Sequence, residues 1–277
     1  MLVRLGCRGS RLALTQAELA ADRLRAAEPE LDVALVPMTT VGDRDRSKPF
    51  GEIGERGVFV KEIEEALLDG RIDVAVHSAK DMTSTDVSGL AVGAYLERDD
   101  ARDALCGATE LAAGMRIGTA SVRRRAQLLA LEPELRIEPI RGNVDTRLRK
   151  RGERGLDAVV LAAAGLDRLG LAGEIGLRFH PGDLLPEAGQ GALALQVRAG
   201  EERLVQAVDH GETRRRVTAE RACVAEIGGG CLAPVAAHHD GTTLAALVAD
   251  EDGHWLVRRS GADPAELAAE LLASVPR

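Results

Sequence analysis

Positive charge in this acidic chain is gathered into two short turns flanked by glycine. The first reads Arg116-Ile-Gly-Thr119-Ala-Ser121-Val-Arg123-Arg124-Arg125 and the second Arg141-Gly-Asn143-Val-Asp145-Thr146-Arg147-Leu-Arg149. Each follows a short apolar run and opens a helix-like stretch, so the guanidinium groups converge where a helix N-terminus already favours anions. Thr119 and Ser121 add hydroxyl and backbone N–H donors just ahead of the arginines. A planar guanidinium grips a carboxylate in bidentate fashion, which a lysine cannot do. A run of three arginines is more often a solvated helix face. The hydroxyls, and the return of the pattern one strand later, favour an anion pocket, with Arg125 left to solvent. Arg8 and Ser10 form a fainter version of the same site after the first strand.

A second constellation is Val74-Ala-Val-His77-Ser78-Ala-Lys80-Asp81, an apolar strand with a polar tip. Parallel α/β folds present their reactive groups beyond the carboxyl ends of strands. Asp81, flanked by Lys80, is the candidate catalytic carboxylate, able to stabilise a developing cation or to relay a proton. A Lys–Asp surface turn is the plain alternative. Cys231 follows Gly228-Gly229-Gly230. Such a loop lets the chain approach a ligand closely and leaves the thiol accessible, as a nucleophile or as the anchor of a permanent covalent group. No His or Asn lies near it in sequence to support a papain-like triad. Cys7, Cys106 and Cys223 read as buried structural thiols, and His238-His239, on an alternating strand, as structural rather than a metal pair.

A net charge of −8 argues against a general nucleic-acid binder, which needs a broad basic face. Hydrophobic residues make up 45% but aromatics only 2%, so the cores must be built from Leu, Val, Ala and Ile. Arg4, Arg8 and Arg11 interrupt the first apolar stretch, so no secretory signal is expected there. No apolar run approaches the roughly 20 residues of a membrane span. Four cysteines without a CxxC pair give no zinc signature and fit reduced thiols. The expectation is a soluble, cytoplasmic protein without metal, membrane or nucleic-acid partners, and a monomer, since no exposed apolar stripe demands a partner.

These residues need elements to carry them. Strands are expected at 2–6, 31–38 and 72–76, with helices at 10–27 and 58–69 and a long charged loop at 39–57. Strands alternating with helices imply a parallel sheet covered on both faces. The order repeats from residue 116: helix to 131, strand 135–140, helix 144–151, strand 157–161. Arg4-Leu-Gly-Cys-Arg echoes Arg116-Ile-Gly-Thr-Ala, and Ile72-Asp-Val-Ala-Val echoes Leu156-Asp-Ala-Val-Val. A further strand at 192–197 returns to the first domain. From 211 a helix, three strands and a helix from Pro264 form a small α+β tail. The expected fold is α/β: two similar doubly wound domains, periplasmic-binding-protein-like of type II, around a cleft, plus a small α+β C-terminal domain. The expected boundaries are 1–95 with 192–209, 98–188 and 211–277.

Taken together, the motifs resemble the porphobilinogen deaminase (hydroxymethylbilane synthase) family. The matching pieces are Val74–Asp81, Gly118-Thr-Ala-Ser-Val-Arg-Arg124, Arg141-Gly-Asn-Val-Asp-Thr-Arg147, Leu185-Pro-Glu-Ala-Gly-Gln-Gly191 and the stretch from Glu220 to Cys231, in family order. The resemblance implies that Cys231 carries a dipyrromethane cofactor through a thioether, and that Asp81 is the catalytic carboxylate beside the pyrrole nitrogens. It implies that Ser78, Lys80, Thr119, Ser121, Arg123, Arg124, Arg141, Arg147 and Gln190 hold the cofactor, and that Arg8, Ser10, Arg141 and Arg147 hold substrate. Arg56 and Phe59 belong to the loop over the site, with Arg56 where the family usually has lysine. Cys7 stands where it usually has Thr or Ser. Four porphobilinogens would be joined head to tail with loss of ammonia, and each brings two carboxylates, which accounts for the arginines. Two other readings compete: a hinged anion receptor, which calls for a secretory signal and no thiol in the cleft, and a cysteine-nucleophile transferase, which calls for a base near Cys231.

Overall fold

The computed structural model describes residues 1–38, 60–83, 87–228 and 234–276. In the first sheet the order is β2 (Asp32–Met38), β1 (Leu2–Arg8), β3 (Val74–Ser78), β10 (Leu193–Arg198) and β4 (Leu90–Tyr95). In the second it is β7 (Arg136–Glu138), β6 (Arg116–Gly118), β8 (Ala158–Ala162), β5 (Asp103–Cys106) and β9 (Ile175–Arg178). Renumbered within each sheet, the two orders are the same: second strand, first, third, crossing strand, fourth. The crossing strands β10 and β5 run antiparallel to both neighbours, while the remaining pairs are parallel. The sheets are therefore mixed rather than wholly parallel. Each crossing strand enters its sheet without a helical crossover inside that sheet, and only such crossovers oblige neighbours to run parallel.

The chain divides into two compact units, 1–99 with 192–215 and 100–191 with 216–277. The second unit also holds a three-stranded antiparallel sheet of β11 (Val235–His239), β12 (Leu244–Ala249) and β13 (Leu256–Gly261).

Among the described residues the α-helices are α1 (Arg11–Ala27), α2 (Lys61–Leu68), α3 (Val122–Leu131), α4 (Val144–Glu153), α5 (Ala163–Arg168), α6 (Gly211–Ile227) and α7 (Pro264–Ala273). Ser10 starts α1 by accepting the Ala13 N–H at 3.3 Å, and Ala17, Ala20, Ala21 and Leu24 bury one helical face against the first sheet. In the small sheet's core, α7 contributes Leu267, Ala268 and Leu271 against Val235, Ala237, Leu244 and Ala246. Among the described residues no helix is long and apolar enough to cross a membrane.

The internal repeat holds at the level of single bonds. In the first unit Asp73 takes the Arg4 N–H at 2.9 Å and returns its own N–H to the Arg4 carbonyl at 2.9 Å. In the second, Asp157 does the same with Arg116 at 2.7 and 3.0 Å. Two residues on from each arginine sits a glycine, and the reason is steric. A Cβ on Gly6 would lie 2.3 Å from Ile72 Cδ1, and one on Gly118 2.9 Å from Leu156 Cδ1. The apolar residue before each third strand fills the space a side chain would need. This anchoring also starts the third strand at Val74, two residues later than the apolar pattern suggests, so His77 and Ser78 lie within it.

Candidate functional site

Each unit gathers its candidates at one edge of its own sheet. In the first, β1 runs parallel beside β3, with Leu5 opposite Val74 and Gly6 opposite Ala75, so residues just past both carboxyl ends become neighbours. Arg8 closes β1, Ser10 caps α1, Ser78 closes β3, and Lys80 and Asp81 share one 3-10 turn, Ala79–Asp81. The Ala79 N–H is anchored to the Ala192 carbonyl at 3.0 Å, which fixes the turn. Asp81 is exposed, while Arg8, Ser10, Ser78 and Lys80 are half-buried.

Gln16 and Gln196, which the motif reading passed over, hold this tip together with His77. The buried Gln16 of α1 places its amide nitrogen 3.1 Å from Ser78 Oγ. His77 is buried with Nε2 3.0 Å from Gln196 Oε1, and Gln196 in turn donates to Glu64 Oε1 at 3.0 Å. Since Gln196 spends its N–H on Glu64, its oxygen must accept, so His77 donates through Nε2. Burial pushes this imidazole down to about 4, which keeps the ring neutral and makes it scaffold beneath the reactive tip.

In the second unit, β6 lies beside β7 and the Thr119 N–H donates to the Glu138 carbonyl at 2.9 Å. Thr119 Oγ1 accepts the Ser121 N–H at 3.2 Å, and Ser121 Oγ accepts the Arg124 N–H at 3.4 Å as the cap of α3. Both hydroxyls thus shape the turn that launches the arginines. Arg141 and Arg147 are half-buried around the start of α4. The Arg141 carbonyl receives Lys150 Nζ at 3.1 Å, and Arg147 Nε donates to the Gly142 carbonyl at 2.7 Å. Gly142 has φ 124° and would place a Cβ 2.6 Å from Thr146 Cγ2, so only glycine fits this turn.

The arginine pair is organised around a carboxylate absent from the sequence reading. Asp103, wholly buried on β5, accepts from Arg123 Nη1 at 2.8 Å, from Arg124 Nε and Nη2 at 3.0 and 2.7 Å, and from Gln190 Nε2 at 2.9 Å. Burial alone would raise its pKa, but the two guanidinium groups hold the carboxyl well below the usual carboxylate range. Arg123 is held above its ordinary value: burial opposes its charge, and Asp103 and Glu187 outweigh it.

Arg124 commits all three nitrogens inside the protein, the last to the Val160 carbonyl at 3.0 Å, and Gln190 gives its amide to Asp103 and the Ala101 carbonyl. Both side chains are buried. Arg125 lies at the surface, as expected, and pairs there with Asp252 at 2.6 Å.

Arg123 differs. Its Nη1 reaches Asp103 and the Leu185 carbonyl, yet its Nε and Nη2 are buried with no hydrogen-bond partner among the described residues. That edge is the one with which Arg4 grips Asp73 and Arg102 grips Asp100. Buried N–H donors left unpaired cost about 1–3 kcal/mol or more when charged, so the edge is shaped for a carboxylate. A group rich in acetate and propionate side chains fits this donor set.

Gln127 and Glu220 complete the framework. Gln127 accepts the Leu185 N–H at 2.6 Å and donates to the Leu185 carbonyl at 3.1 Å, binding the segment before Gln190 to α3. Glu220, wholly buried on α6, accepts the Gly189 and His239 N–H groups, each at 2.8 Å. The available signal for Gln127 was its place one turn after Arg123. Asp103 had none, being one of several aspartates in a charged stretch. Cys231, Arg56, Phe59 and the 39–57 loop lie outside the described residues.

Two sheets of identical order, with arginines, hydroxyls and one aspartate at their carboxyl edges, define an α/β protein of two units, the second carrying a buried guanidinium edge without a hydrogen-bond partner among the described residues. The chain belongs to the porphobilinogen deaminase family. Residues 3–206 match the family's dipyrromethane cofactor-binding domain and residues 214–274 its C-terminal domain. It is 46% identical to the porphobilinogen deaminase of Chromobacterium violaceum, covering 96% of this chain and 90% of that one. It is 46% identical to that of Syntrophotalea carbinolica over 95% and 87%, and 45% identical to that of a Roseiflexus species over 96% and 93%.

Proposed function

We infer that this chain condenses four porphobilinogens head to tail on a covalently bound dipyrromethane, releasing four ammonia molecules, and that one water then cleaves the chain from the primer as linear hydroxymethylbilane. The observation that carries the reading is the unpaired, buried edge of Arg123 in a chain of this family. The dipyrromethane supplies the tethered primer to which the substrate units are joined.

Cys231 is the proposed anchor, since burial pushes Cys7, Cys106 and Cys223 up to about 11 and leaves them poor nucleophiles. Arg123 holds one ligand carboxylate through Nε and Nη2, with Arg124, Asp103 and Gln190 setting its orientation. Arg8, Ser10, Arg141 and Arg147 offer further donors for acetate and propionate groups, alongside Ser78, Lys80, Thr119 and Ser121. Asp81 places an exposed carboxylate on an anchored turn, where it stabilises the positive charge that develops on the pyrrole as ammonia departs. We further propose that the chain works as a cytoplasmic monomer without a metal.

Intact-mass measurement of the purified protein tests the assignment. A mass excess of two pyrrole units that disappears in Cys231→Ser supports it; an unmodified Cys231 in active protein overturns it. Asp81→Ala is expected to keep the fold and lose turnover, because the side chain is exposed and its removal disturbs no packing.

A further inference from the structure

We propose that the tip of the β12–β13 hairpin, residues 250–255, is a positioning element for the arginine helix α3, acting through Gly253 and Asp252. The inference rests on the reading that Arg123 holds ligand carboxylates. It concerns residues in none of the family motifs above.

The contact is backbone against backbone. Gly253 has φ 72°, and a Cβ there would lie 2.5 Å from the Ala126 carbonyl oxygen, 3.0 Å from Ala130 N and 3.2 Å from Leu129 Cβ. No flexible side-chain end lies among those neighbours to give way. Beside it, Asp252 Oδ1 holds Arg125 Nη2 at 2.6 Å.

The tip is itself rigid. Asp250 accepts the Trp255 N–H at 3.1 Å and lies 2.9 Å from His254 Nδ1, and the Gly253 N–H returns to the Asp250 carbonyl at 3.3 Å. Beneath it, Ala126 packs with Leu185, Ala236, Leu247 and Ala249. Leu185 is the residue whose carbonyl receives Arg123 Nη1 and Gln127 Nε2. The small sheet therefore supports the middle of α3 and the peptide that orients Arg123, one helical turn away. A tilt of α3 moves the free guanidinium edge with it.

A Cβ at Gly253 must push α3 or the hairpin by more than half an ångström to reach ordinary contact. Misaligning the charge-assisted hydrogen bonds that Arg123 offers a ligand carboxylate weakens binding, and a rise in KM on the order of 10-fold is expected. Gly170 supplies the control: it has φ 71° and nothing within 4 Å of a Cβ, so Gly170→Ala carries the same backbone strain without the contact.

The experiment compares Gly253→Ala, Asp252→Asn and Gly170→Ala by hydrogen exchange over residues 119–131, by cofactor loading in intact mass, and by KM and kcat for porphobilinogen. The proposal expects faster exchange in α3 and a raised KM at nearly unchanged kcat for Gly253→Ala. Asp252→Asn should show a weaker form of both, and Gly170→Ala neither. It is overturned if Gly253→Ala behaves like Gly170→Ala, or if α3 exchange rises while KM and loading stay at wild type. Failure of the wild type to form a linear tetrapyrrole would instead sink the functional reading, and the exchange arm would still decide whether the hairpin holds the helix.

Discussion

Replacing Asp103 with asparagine tests the charge arrangement beneath the candidate site. The carboxylate sits between two buried guanidinium groups and accepts four hydrogen bonds at 2.7–3.0 Å. Asparagine keeps the shape but removes the charge and turns an NH2 toward a cation. Breaking a buried ion pair from one side costs about 3–5 kcal/mol, which for a chain of this size lowers Tm on the order of 10 °C. The comparison belongs in a Cys231→Ser background, so that neither protein carries a covalent group and lost ligand cannot pass for lost stability.

The sign of the pH dependence follows from the depressed pKa of Asp103. Its contribution is complete above the unfolded carboxyl value of about 4, and fades as pH falls toward the folded value by at most about 1.4 kcal/mol per pH unit. Thermal unfolding followed by circular dichroism at pH 7 and pH 3 should therefore show a large gap between the two proteins that narrows in acid. A gap below about 1 kcal/mol at pH 7, the worth of an exposed pair, would refute the argument. So would a gap that is the same at both pH values.

Thiol counting gives a second prediction: the denatured protein should titrate three cysteines, because the fourth is tied in a thioether, and the native protein should react slowly or not at all. Four titratable thiols in active protein would contradict the anchor. Third, His77 is held neutral by burial, so its effect runs opposite to that of a stabilised cation. Stability should be full above the unfolded value of about 6.5 and decline as pH falls toward 4, and His77→Gln should remove part of that decline. Equal declines in both proteins would remove His77 from the account. Fourth, Gly6→Ala should destabilise by about 1–3 kcal/mol through the clash with Ile72 Cδ1, and Ile72→Val, which deletes that atom, should restore part of the loss. Additive costs in the double-mutant cycle would mean the two residues do not share the space.

The sequence alone was enough for the repeated α/β order, the cap at Ser10, the glycine-bounded arginine turns and the polar tip at Ser78, Lys80 and Asp81. These are local matters: capping, periodicity and turn chemistry depend on residues a few places apart. The doubled echo of Arg-x-Gly and apolar-Asp was also visible, although its meaning as a shared hydrogen-bond pattern was not. Strand direction at β5 and β10 escaped the reading, because it depends on where a chain re-enters a sheet. So did the partners of the arginines. Asp103 lies twenty residues from Arg123, Leu185 sixty-two and Asp252 more than a hundred from Arg125. Whether a guanidinium faces a ligand or a buried carboxylate is settled by which groups tertiary packing removes from water together, and neither residue type nor spacing encodes that choice. The sequence placed the guanidinium groups on one helix; packing decided that Arg124 is spent on Asp103 and the Val160 carbonyl while Arg123 keeps one buried edge without a partner among the described residues.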